Sequence, residues 1–197
     1  MKRFSVSILS VCFGAAGFVL RLLQNRTGFE PDTGLPVHGN IPAMALPVLL
    51  AVTAVALYLF ACRTQPQKME EPFESVFRLD DRMGLSAVLA GGCIMAVPVC
   101  LLARLILVYR LRSTDPVLED YYLELWGLMA LILAAYRLSG FTVQAGRPRM
   151  FTLCEAAVAV LALTMLPDGA APAVVLILGG GIALTGFQMM LWIDSAE

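Results

Sequence analysis

Among the charged side chains set within long apolar stretches of this chain are Arg21, Arg104 and Glu124. The chain reverses between stretches, so depth alone brings all three towards one membrane surface. Two guanidinium groups and one carboxylate leave net positive charge, which suits a small anionic or zwitterionic solute. The segment after the first stretch, QNRTGFEPDTGLPVHGNI, adds Asp32 and His38 on the same side, and Tyr121, Tyr122 and Trp126 supply aromatic walls. Small ligands use concave apolar sites with a few convergent polar groups. Arg104 is expected to pair with Glu124, because a carboxylate has a short reach and needs a partner of its own. The competing account is plain: the arginines snorkel to headgroups, and the charges only fix helix packing.

Other residues carry less chemistry. Thr152-x-x-Glu155 has the pattern of a capping box before an apolar run, which makes Glu155 a structural acid. Glu70, Glu71, Glu74, Asp80 and Asp81 match no cation-loop spacing and read as a solvated face. Gly179-Gly180-Gly181 follows no strand and precedes no lysine, so it reads as a close-packing face rather than a phosphate loop. The five cysteines form no CxxC and lie within or at the ends of apolar stretches, where a free thiol behaves as a small hydrophobe. The single histidine excludes an HExxH site. There is no GxSG with a partner histidine and no paired intramembrane aspartate. The expectation is therefore a non-enzyme without cofactor or metal.

The elements that would position these residues are set by composition. The chain is 59% hydrophobic and 15% charged, against roughly 45–50% and about 25% in soluble domains. That departure implies an all-α integral membrane protein whose partner is the lipid bilayer. The net charge of -1 argues against nucleic acid. Six transmembrane helices are expected, at about 4–23, 42–62, 83–109, 116–137, 150–166 and 173–193, in one membrane domain over 1–197. They form three helical hairpins. The third stretch, charge-free from 83 to 103, is taken as the organising helix, with Pro98 as a kink. The fifth is short, with a re-entrant segment as the alternative. Phe73, Val76 and Phe77 suggest an interfacial helix over 71–81. The basic start followed by an apolar run reads as a span, not a leader, because the run continues to Leu23. Turn formers fill the first outer loop, which is either a lid or a connector.

Basic residues set the orientation. With the N-terminus inside, nine Lys/Arg fall on inner segments and three on outer ones, which places both termini in the cytoplasm. Compact loops suggest a bacterial inner membrane. The size, six spans, cytoplasmic termini and long first outer loop are similar in outline to the substrate-binding subunits of energy-coupling-factor vitamin importers. The resemblance covers topology, and it implies a binding or transport subunit with an outward-facing site. The alternative is a structural or regulatory membrane protein whose small-residue faces pack with partner subunits or lipids.

Overall fold

The computed structural model describes residues 5–28, 37, 39–64, 84–113, 121–142, 147–169 and 172–194. Every regular element among them is helical: α1 (Ser5–Thr27), α2 (Ile41–Thr64), α3 (Gly84–Arg112), α4 (Tyr122–Thr142), α5 (Pro148–Thr164) and α6 (Pro172–Asp194). A 3-10 turn at Leu166–Asp168 follows α5. Helices α1 to α4 are long and apolar enough to cross a bilayer. The helix of α3 continues through Pro98 and that of α2 through Pro47. Helix α4 runs five residues past the predicted end at 137, to Thr142. Its expected start at Pro116, the interfacial helix over 71–81 and most of the first outer loop lie outside the described residues.

The bundle is organised around α5, not around the third stretch. Helix α5 packs against α1, α4, α6 and α2, whereas α3 packs chiefly on α4. The reason is solvent. A helix that is apolar over most of its length is comfortable against lipid on most faces, and α3, with Arg104 as the charged exception before its C-terminal arginines, accordingly exposes Met95, Val97, Val99, Leu102, Ile106 and Leu107. Among its described side chains, the stripe Ile94, Leu101, Leu105 and Val108 joins the apolar core. A helix that carries polar groups gains from being enclosed, and α5 is the one that carries them to the centre. At 17 residues it is the shortest of the six described helices, about 25 Å long.

Its start is fixed by backbone chemistry. Arg147 is extended (φ -120, ψ 96) and Pro148 occupies the first helical turn, where its missing donor costs nothing. Thr152 and Glu155 therefore stand well inside the helix, beyond the orphan donors of its first turn. The expected capping box does not form. At the other end the Met165 N–H donates to the Leu161 carbonyl at 3.0 Å, and the chain leaves the 3-10 turn through Gly169 at φ 84, a conformation that glycine adopts without steric cost.

Close approaches lock the neighbours to α5. A Cβ on Gly14 would lie 2.6 Å from Leu163 Cδ1, and one on Gly17 would run into the Thr164 hydroxyl. Both contacts rise in the same sense along the two helices, so α1 and α5 are parallel. Helices α4 and α5 are antiparallel, with Phe141 edge-on to Phe151 at 5.6 Å. Helix α6 closes the far side: Gly180 sits on Leu131 of α4 and Gly181 on Val158 of α5, while Gly179 faces open space. The expected glycine face is thus two residues wide here, because successive helical positions point about 100° apart. Helix α2 turns its buried stripe Leu46, Leu50, Thr53, Leu57 and Ala61 inward.

Candidate functional site

Arg21 is buried at 3% exposure near the C-terminal end of α1. Its Nε donates to Asp168 Oδ1 at 2.8 Å, and its Nη1 donates to Gln24 Oε1 at 3.1 Å. Asn25 Nδ2 adds a second donor to the same Asp168 oxygen at 2.9 Å. The cation is thus met by the 3-10 turn after α5, a residue read in the sequence only as part of a tight turn. Sequence position did hold a signal for it: Arg21 lies near the C-terminal end of α1 and Asp168 just past that of α5, its parallel neighbour. Depth gives no azimuth, however, and Glu124 satisfied the same criterion.

Arg104 and Glu124 do not pair. Among the described residues neither makes an ion pair or a hydrogen bond, and Arg104 Nε is buried without any partner. Arg104 lies on α3 and Arg21 on α1, helices that share no extended packing face. Among the described residues no hydrogen bond or ion pair therefore joins Arg21, Arg104 and Glu124 into the predicted gathering. Trp126 is half-exposed and meets Tyr122 edge-on at 5.8 Å. Asp32 and His38 lie outside the described residues. The loop that carries them is tied at its base, where the Val37 N–H donates to the Gly28 carbonyl at 2.8 Å. Asn40 Nδ2 also approaches Thr27 Oγ1 at 3.4 Å. With Arg21 neutralised by Asp168, the excess of positive charge that pointed to an anionic solute is lost.

The interior holds a different candidate. Most buried hydroxyls return to their own helices. Ser10 donates to the Ser7 carbonyl, Thr53 to Leu49, Ser139 to Tyr136 and Thr164 to Val160, all at 2.7–2.8 Å. They are satisfied and offer little to a ligand. Glu155 differs. It is 3% exposed, at the eighth position of α5, and among the described residues no hydrogen bond or ion pair reaches it. Buried Thr152 stands on the same face one turn earlier. The Phe141–Phe151 contact lies one turn to one side of Glu155, and the Gly181–Val158 contact one turn to the other. Stepping one turn from each brings Arg137 with buried Leu138, and buried Leu184, to the level of Glu155, and the Arg137 charge acts on the adjacent Cys154. Sequence reasoning passed over Glu155 because its spacing from Thr152 fitted a helix start that lies elsewhere.

The described residues hold no group of three or more His, Cys, Asp or Glu side chains placed to bind a metal ion. Compared with known protein families, curated proteins and solved structures, the chain matches none.

Proposed function

We propose that this chain is a six-span membrane protein that binds and carries a small solute within its helical bundle. Both termini lie in the cytoplasm, and the home of the protein is a cell membrane, as compact loops and the inner excess of Lys/Arg suggest. Helices α5 and α6 complete the crossing set. Helix α5 with its 3-10 turn covers 148–168, about 30 Å of rise, and α6 is apolar from Pro172 to Gly186.

One observation carries the proposal: Glu155, an acid without a partner on the most enclosed helix. A buried charge is costly to keep, and replacing it with a packed apolar side chain commonly leaves a protein as stable or more so. Ionisable groups inside membrane bundles mark solute and ion paths for this reason. A second reading is favoured by α3. That helix hangs on α4 and keeps Arg104 Nε without a partner, as an element that packs with another membrane subunit would.

The test is thermal unfolding of the purified protein in lipid nanodiscs against a panel of cationic, zwitterionic, anionic and neutral small solutes, with uptake into proteoliposomes for each solute that stabilises. Saturable stabilisation with uptake supports a carrier. No stabilisation by any class, together with stoichiometric recovery of a second membrane subunit, replaces it with the packing role.

A further inference from the structure

We infer that the lipid-facing groove between α4 and α5 holds the headgroup of an anionic phospholipid, with its phosphate clamped between Arg137 and Arg147. The inference concerns the outside of the bundle and does not depend on the carrier reading.

The packing of two antiparallel helices builds the groove. Phe141 of α4 meets Phe151 of α5 edge-on. Arg137 lies one turn before Phe141 on the same face of α4, and Arg147 one turn before Phe151. The two cations therefore stand on either side of the phenylalanine pair, about 12 Å apart along the axis. Two long arginine side chains can close that gap on one phosphate. Arg147 is exposed, and no side chain caps the start of α5, so the positive end of the helix dipole lies at the same mouth.

Two observations set the side to which Arg137 turns. Its guanidinium lies over the ring of exposed Tyr136, 5.9 Å from the centroid. Its charge acts on Cys154 and not on Glu155. Cys154 is half-buried and shares a face of α5 with Arg147 and exposed Met150. Glu155, one position on, is turned into the bundle. The groove thus avoids the one carboxylate in this half of the two helices.

The protein does not neutralise these charges itself. Arg21 has Asp168, but among the described residues neither Arg137 nor Arg147 makes a hydrogen bond or an ion pair. A carboxyl group escapes such a position by taking up a proton, whereas a guanidinium keeps its charge. Arg137 stands five residues from the end of α4 at Thr142, about 7 Å in. From there an arginine reaches the headgroup layer.

The flank selects a lipid over a soluble anion. Leu133 continues the face of Arg137 one turn deeper and is 50% exposed, and Met150 borders Arg147 at 37%. Acyl chains cover such surface, and a free phosphate leaves it bare. Two guanidinium groups favour a headgroup of net negative charge over one that brings its own ammonium.

The experiment titrates the purified full chain in neutral detergent with phosphatidylglycerol, phosphatidylcholine or inorganic phosphate. Thermal unfolding and lipid retention in native mass spectrometry are the readouts. The variants are Arg137→Gln, Arg147→Gln, the double variant, and Arg26→Gln, an exposed arginine at the other end of the bundle. Unfolding without lipid checks that each is folded, and exposed Arg147→Gln carries the test should Arg137→Gln not fold. The expected result is saturable stabilisation of the wild type by phosphatidylglycerol and not by phosphatidylcholine. Affinity falls about fivefold in each single variant and about thirtyfold in the double, with Arg26→Gln unchanged. An equal loss in Arg26→Gln, or no loss in the double variant, overturns the inference in favour of diffuse attraction. Equal stabilisation by phosphatidylcholine overturns the charge selection, and by inorganic phosphate the choice of a lipid. No stabilisation by phosphatidylglycerol overturns the site altogether.

Discussion

Removing the carboxylate of Asp168 should loosen the junction between the first and fifth helices. Breaking a buried pair by deleting one partner costs about 3–5 kcal/mol. Two features of the site reduce that here. Asp168 keeps 20% of its side chain exposed, and Gln24 still accepts from Arg21. Asp168→Ala is therefore expected to cost about 2–3 kcal/mol. Asp168→Asn, which keeps an oxygen for Arg21 and Asn25, is expected to cost about 1 kcal/mol. Arg21→Met alone leaves a partly exposed aspartate that still accepts from Asn25, and should cost less than Asp168→Ala. The double variant should fall short of the sum of the single ones by about 1.5 kcal/mol or more. Equilibrium unfolding in mixed micelles, followed by circular dichroism, measures all four. Additivity within about 0.5 kcal/mol would refute the argument, since it would mean that Arg21 and Asp168 do not act as a pair.

The glycines on α6 offer a matched comparison. Gly180→Ala meets Leu131 Cδ1 at 2.5 Å and is expected to cost about 1–3 kcal/mol, whereas Gly179→Ala meets nothing and should be neutral or stabilising in the same assay. Gly17→Leu should separate α1 from α5, seen as loss of a disulfide engineered between the two helices. Arg104→Gln and Glu124→Gln should show no coupling in a double-mutant cycle, because no hydrogen bond or ion pair joins the two among the described residues; a coupling above about 1 kcal/mol would contradict the geometry. For the proposed orientation, a cysteine at Ser113 should react with an impermeant maleimide from outside intact cells, and one at Arg147 only after permeabilisation.

Helical segments were legible because apolar length is a local property. The six described α-helices lie over the six apolar stretches, and their ends fall close to Pro, Gly and charged residues that any single segment displays. What each helix touches was not legible. Runs such as 83–103 draw attention by lacking charge, yet in a bilayer that lack marks a helix content to face lipid: 6% of the span in α3 is buried, against 44% in the more polar α4. Short length made 150–166 look marginal as a span, although an enclosed helix is bounded by its neighbours rather than by lipid. Arg21 illustrates the remaining limit. Its depth could be read, but its partner stands 147 residues away, and only the packing of Gly14 and Gly17 on α5 sets the direction in which it points.

That separation has a consequence for biosynthesis. Ribosomes add about 5–20 residues per second, so the 147 residues between Arg21 and Asp168 take roughly 7–30 s to appear. For that interval the first helix sits in the membrane with an uncompensated cation and two bare glycines, while its chief packing partner has yet to be made. Both the chief packing partner of the first helix and the acid that meets Arg21 are thus late arrivals, and a chain terminated before Asp168 carries that charge without its acid.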